Sequence, residues 1–236
     1  DRRHKIANNH TCTHLLNLAL RNHISEDVQQ KGSLVDDEKL RFDFNNNKPV
    51  DAKRLGEIEK DIQGDIDRAL QVYYKEVSLG DGKAIHGLRA VFGETYPDPV
   101  RVVSIGKPVD DLLKDPKASD NYGYSIEFCG GTHLDNTKEA AAFAILSEEG
   151  VAKGVRRIAA ATGEIAQAAI KRGSDLKAKA GKLDGVKDAT ALQQELNKLK
   201  AEVDKVVIPL TTKNEIRDVL AKHSKKIVEL GKKAAA

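Results

Sequence analysis

Two pairs of side chains in this sequence share a spacing and a chemistry. His10 and His14 stand four residues apart, and so do Cys129 and His133. On a helix that step puts both imidazoles of the first pair on one face, a turn apart. The second pair brackets Gly130 and Gly131, which let the backbone turn tightly enough for a thiolate and an imidazole to converge. Three nitrogens and one sulfur make a borderline-soft donor set suited to tetrahedral Zn²⁺. A zincin protease needs His-Glu-x-x-His with the Glu as base, but the stretch here reads His10-Thr11-Cys12-Thr13-His14. The two pairs are far apart in sequence, unlike the ligands of a compact zinc finger. The expectation is therefore an interdomain-type zinc site that serves a ligand pocket.

Other residues take roles around that site. The Thr13 hydroxyl, one residue from His14, either reaches the pocket or bonds its own helical backbone. Glu127 is read as an ordinary exposed strand residue rather than as a partner for a ligating histidine. Cys12 is read as a small core residue. His4, His23, His86 and His223 have no partner spacing and are taken as structural or surface groups.

The elements that must carry these residues fall into two regions. The first pair lies on a predicted helix, Arg3 to Arg21. Gln30 to Val35 reads as a turn leading into a strand, and Leu40 to Phe44 alternates as a half-buried strand does. Val50 to Ala69 shows Leu55, Ile58, Ile62 and Ile66 at helical spacing. A strand is expected at Gln71 to Val77, a short helix at Lys83 to Phe92, a turn at Thr95 to Pro99, and a buried strand at Val100 to Gly106. Tyr124 to Phe128 forms the strand that ends at Cys129, and Phe143 to Leu146 with Val155 to Ala160 form a hairpin. Helices on a largely antiparallel sheet give an α+β class.

From about residue 164 the pattern is helical. Leu192, Leu196, Leu199, Val203 and Val206 step as a coiled-coil seam, Pro209 stops that helix, and Ile216, Leu220, Ile227 and Leu230 begin a second stripe. A C-terminal antiparallel helical hairpin is expected. The domain expectation is 1–163 for the zinc-containing part and 164–236 for a coiled-coil-like arm.

The bulk properties set limits. The 236 residues are 40% hydrophobic and 32% charged, which fits a helix-rich globular chain with no run long enough for a membrane helix. Two cysteines are few for a secreted scaffold, so a reducing, cytoplasmic setting is expected. The net charge of +3 is unevenly spread. From Glu164 onward there are 16 basic and 10 acidic residues, a net of +6. That half suits either a polyanion or a solvated helical surface. The N-terminus has neither a starting Met nor a secretory signal, and the chain reads as a fragment of something longer. Its lack of any methionine would also follow if modified methionines had dropped out of the sequence.

Several motifs occur in order: NHTCTHLL (Asn9 to Leu16), QKGSLV, LRFDF, EFCGGTHL (Glu127 to Leu134) and AKGVRRI (Ala152 to Ile158). Together they resemble the editing region of alanyl-tRNA synthetases, and GLRAVFGETYPDPVRVVSIG resembles the eukaryotic cytoplasmic form. The likeness covers the first 163 residues. The helical tail is similar to the segment that follows in that family. Threonyl-tRNA synthetases carry a related editing fold, but their second metal pair usually stands in a Cys-Arg-Gly-Pro-His context. Cys129-Gly-Gly-Thr-His133 fits the alanyl branch.

The resemblance implies a hydrolase that removes serine or glycine wrongly attached to tRNA(Ala). Zn²⁺ would sit on His10, His14, Cys129 and His133, either activating water or positioning substrate. ATP and Mg²⁺ belong to an aminoacylation domain absent from this sequence. It places Thr13 and Gln30 beside the aminoacyl group, with Cys129 in the catalytic set. Lys153, Arg156 and Arg157 flank the predicted hairpin, and arginine grips phosphate through a fork of donors. At least one of the two arginines is expected to contact the aminoacylated 3′ end of tRNA(Ala). No membrane partner is expected, and the arm leaves oligomerisation open. The competing readings are a non-catalytic, zinc-stabilised tRNA-binding or dimerisation fragment and a freestanding alanyl-tRNA editing protein.

Overall fold

The computed structural model describes residues 1–234, with side chains through residue 229. The Leu230 side chain and the last two alanines lie outside the described residues. The chain divides into two compact units, Asp1–Gln167 and Ala168–Ala236.

The first unit is α+β. Helix α1 (Arg2–His23) starts where the Asp1 carboxylate accepts the Arg3 N–H at 3.0 Å, satisfying one of the orphan donors of a helix start. It is buried on several faces, by Leu15, Leu16 and Leu20 but also by Asn9, Thr11, His14 and Asn17. A helix enclosed this fully can carry polar side chains only where they find partners, and these become the site. Helix α2 (Ala52–Asp67) begins two residues later than the periodicity suggests, because Asp51 accepts the Arg54 N–H and so caps it. Its stripe of Leu55, Ile58, Ile62 and Ile66 is buried as expected.

The sequence suggested one largely antiparallel sheet, and the structure has two of four strands each. The first is wholly antiparallel, in the order β1-β2-β8-β7, from β1 (Gln30–Val35), β2 (Leu40–Asn45), β7 (Phe143–Ala152) and β8 (Val155–Thr162). In β2, Leu40, Phe42 and Phe44 face inward while the residues between are half exposed, the alternation of a one-sided strand. Residues 30–35 pair along their whole length, with a register shift between Gln30 and Gly32, so the expected turn is a bulged strand. The β7–β8 hairpin is longer than its apolar residues suggest and turns at Lys153-Gly154.

The second sheet runs β3-β5-β6-β4, from β3 (Val72–Val77), β4 (Leu88–Arg89), β5 (Val100–Ile105) and β6 (Ser125–Phe128). The helix expected at Lys83 to Phe92 does not form. A shorter helix, α3 (Leu79–Ala84), is capped by Ser78, whose hydroxyl accepts the Asp81 N–H. Gly87 then turns the chain at φ 81°, and Leu88–Arg89 pairs in parallel with Ile126–Glu127. Sheet pairing there outweighs local helical spacing. Helix α4 (Val109–Lys114) had no strong sequence signal.

Helix α5 (Gly163–Lys182) begins within the first unit, where Ala166 packs with Ala142, Ala144 and Ala161. In the second unit α5 is followed by α6 (Ala189–Lys205) and α7 (Leu210–Ala234). The seam residues Leu192, Leu196, Leu199 and Val203 are buried with Ile216 and Leu220, while Val206 and Ile227 are partly covered. Leu176 and Ala180 of α5 share that core, so three helices build it rather than two. Among the described residues no helix is long and apolar enough to cross a membrane.

Candidate metal centre

The fold brings the two distant pairs together. α1 carries His10 and His14 one turn apart, and the loop leaving β6 carries Cys129 and His133. One donor atom from each of the four lies within 4.8 Å of the others. Cys129 Sγ is 3.4 Å from His10 Nε2 and 3.4 Å from His133 Nε2. The imidazole centroids are separated by 4.2 Å for His10 and His133, and by 4.5 Å for His14 and His133. All four residues belong to the first unit.

Surrounding groups fix each ring. His10 Nδ1 lies 3.2 Å from the Thr132 carbonyl, and His133 Nδ1 lies 3.2 Å from Thr11 Oγ1. Thr11 Oγ1 also accepts the Leu134 N–H at 3.0 Å, tying the loop to α1. For both histidines this leaves Nε2, the nitrogen beside the sulfur, as the free donor. His14 Nε2 sits 3.5 Å from Glu127 Oε2. Its Nδ1 is buried without a hydrogen-bond partner, an orphan that a cation would satisfy. Gly131 donates its N–H to Cys129 Sγ at 3.5 Å. A Cβ at Gly131 would overlap the His10 ring, so this position needs glycine for close approach.

The electrostatics fit a cation. Burial, reinforced by the neighbouring imidazoles and Arg101, holds His14 well below its ordinary pKa, and burial, His10 and Arg101 push His133 down to about 3. Burial also lowers His10, against the pull of the Thr132 carbonyl. Neutral imidazoles are the metal-binding form. Burial raises the Cys129 thiol, against the Gly131 N–H, so a thiolate there calls for a positive charge beside it. Three nitrogens and a sulfur in a partly dry site match a divalent, borderline-soft ion.

Three of the four, His10, His14 and Cys129, line a cavity of about 500 Å³ that Thr13, Gln30 and Glu127 also line. The Thr13 hydroxyl donates to the Asn9 carbonyl at 2.8 Å, so it lines the cavity while bonding its own helix. Gln30 donates from Nε2 to Ser33 Oγ at 3.0 Å. Cys12 is a buried core thiol, pushed up to about 12 by burial. Lys153, Arg156 and Arg157 do not line this cavity. Lys153 is exposed at the hairpin turn. Arg156 grips Glu148 at 2.6 and 2.7 Å, and Arg157 grips Asp43, opposite it on β2, at 2.7 and 2.8 Å.

Glu127 is buried, not exposed. Its other oxygen accepts the Asn17 amide N–H at 2.8 Å, and burial pushes its carboxyl up to about 7. The signal was its place two residues before Cys129, near the end of the strand that leads into the Cys129 loop. Arg101 was also missed. It stacks 4.4 Å over Tyr74, donates to the Gly131 carbonyl at 2.6 Å and lines the cavity.

Residues 100–159 match the threonyl and alanyl tRNA synthetase second additional domain. Along 97% of its length the chain is 45% identical to an alanine–tRNA ligase of Schizosaccharomyces pombe. It is 46% identical over 96% to a mitochondrial one of Saccharomyces cerevisiae, and 42% identical over 97% to a cytoplasmic one of Dictyostelium discoideum. It covers 24%, 23% and 24% of those relatives, so it spans about a quarter of their length.

Proposed function

We propose that this chain, which matches alanine–tRNA ligases along nearly its whole length and the threonyl and alanyl second additional domain at residues 100–159, is a hydrolytic editing domain that removes serine or glycine from mischarged tRNA(Ala). The observation that carries this reading is the convergence of His10, His14, Cys129 and His133, the first three of which line a cavity together with Thr13 and Gln30. Attachment of alanine with ATP and Mg²⁺ is assigned to the part of the relatives' length that this chain does not span. The cytoplasm is the assigned compartment, since relatives named cytoplasmic match along the chain, although a mitochondrial one does too.

The reaction adds water across the ester that joins the aminoacyl carbonyl to a ribose hydroxyl. The bond is activated, so orientation and charge stabilisation suffice. Zinc on His10, His14, Cys129 and His133 would supply Lewis-acid charge at the cavity wall. Thr13, Gln30 and Ser33 place hydroxyl and amide groups along that wall. A serine hydroxyl pairs with such groups, whereas the methyl of alanine leaves them unpaired, and this favours serine over the correct product. Ser33 holds the Gln30 amide and fixes its orientation. Arg101, clamped by Gly131 and Tyr74, brings a fixed positive charge to stabilise a developing oxyanion.

Lys153, Arg156 and Arg157 are the proposed contacts to the tRNA end. Each arginine spends Nε and Nη2 on its carboxylate, which leaves further N–H donors for phosphate. The basic helical unit is a second proposed contact to the tRNA backbone.

Incubating the chain with Ser-tRNA(Ala) tests the function. Serine should leave far faster than by spontaneous hydrolysis, and Cys129→Ala should abolish the difference. Equal rates with and without the wild-type chain would overturn the assignment.

A further inference from the structure

Phe92 is 83% exposed, the most open large apolar side chain among the described residues. It sits at the tip of a built turn. The Glu94 N–H donates to the Val91 carbonyl at 3.2 Å, and Gly93, at φ 84°, takes the third position, where a type II turn needs a positive φ. The base of the turn is fastened to the site. The Val91 N–H donates to the Tyr96 hydroxyl at 2.8 Å, and the Tyr96 ring packs 5.0 Å from Phe128, the neighbour of Cys129. Val91, Glu94 and Tyr96 all line the cavity that His10, His14 and Cys129 also line. The turn thus presents an aromatic face to solvent at the cavity rim.

We propose that Phe92 is a stacking platform for the terminal nucleobase of the substrate RNA. This rests on the editing reading above. An aminoacyl group inside the cavity puts its ribose at the mouth, and the base attached to that ribose falls on the rim. Exposed aromatic rings bind unpaired bases by stacking, whatever the base, because each has a π-face. The same turn carries the carboxylate of Glu94, which turns phosphate away. A neutral ring is the group this side of the mouth accepts. The phosphate chain then leaves on another side.

The chain contains no tryptophan, so Phe92→Trp installs a single indole reporter at the rim. Emission of that variant should be quenched by a non-hydrolysable seryl-adenosine amide, and not by the same amide on a ribose lacking the base. Adenosine alone should quench only at much higher concentration; equal potency would mean a general nucleoside site and overturn the substrate assignment. In hydrolysis of Ser-tRNA(Ala), Phe92→Ala should raise KM about tenfold with kcat unchanged, while Phe92→Trp stays within about threefold of wild type. An unchanged KM in Phe92→Ala, or an indole unmoved by an amide that inhibits hydrolysis, would sink the proposal. If wild-type chain releases no serine at all, the editing reading fails instead, and the fluorescence titration alone then decides whether the ring stacks a base.

Discussion

Glu127 reaches His14 from inside the protein, its Oε2 3.5 Å from Nε2, while Asn17 holds its other oxygen at 2.8 Å. A carboxylate in that place orients the ring and raises its basicity, and loss of such a partner typically costs 10- to 100-fold in metal affinity. Glu127→Ala should therefore weaken zinc binding by about that factor, read by competition with a chromophoric chelator. Glu127→Gln keeps the shape and should fall between. Wild-type affinity in both variants would leave Glu127 without this role.

The two glycines between Cys129 and His133 are not equivalent. A Cβ on Gly131 meets the His10 ring, whereas one on Gly130 meets nothing within 4 Å. Gly131→Ala should displace His10 and lower zinc affinity and serine release together. Gly130→Ala should leave both within about twofold of wild type. Stoichiometric zinc and full turnover in Gly131→Ala would contradict the close approach.

What the sequence disclosed follows the range of the interactions involved. The two pairs that the fold brings together, His10 with His14 and Cys129 with His133, were legible because each pair is local, and helix geometry or a tight turn fixes its own spacing. So were the α2 stripe and the seam from Leu192 to Val203, where periodicity alone sorts the faces. Residues 83–92 misled because the parallel pairing of Leu88 and Arg89 with Ile126 and Glu127 joins distant segments. Glu127 misled for the same reason. A lone carboxylate on a strand reads as exposed until Asn17 and His14 are brought against it from α1. The carboxylate partners of Arg156 and Arg157 were equally hidden, since Asp43 reaches Arg157 only through strand register.

Acid should unfold the chelator-treated protein early. Burial holds His10, His14 and His133 below their ordinary 6.5, while the unfolded chain protonates them near that value. Below about pH 6.5 the unfolded state binds more protons, so stability falls as pH drops. Glu127, raised to about 7, opposes this, because its folded carboxyl keeps a proton that the unfolded one has lost above about 4.5. Three imidazoles outweigh one carboxyl. Stability should therefore fall on acidification, seen as a falling urea midpoint between pH 7 and 5. A midpoint that rose on acidification would show that the imidazoles are not held neutral.

The helical unit carries a separate test of burial. His223 is 2% exposed and within the α7 stretch of Ile216 and Leu220, yet neither ring nitrogen has an aligned hydrogen-bond partner. Asp184 Oδ1 comes within 3.4 Å of Nε2, but that carboxylate side chain is 70% exposed, where an ion pair is worth little. A buried polar ring without partners costs about 1–3 kcal/mol relative to an apolar group of similar size. His223→Leu should therefore raise the thermal midpoint of the helical unit by a few degrees and slow amide exchange along α7. Serine release should not change, because the metal donors all lie in the other unit. A drop in midpoint would mean that Asp184 and His223 form a stronger pair in solution than their alignment shows.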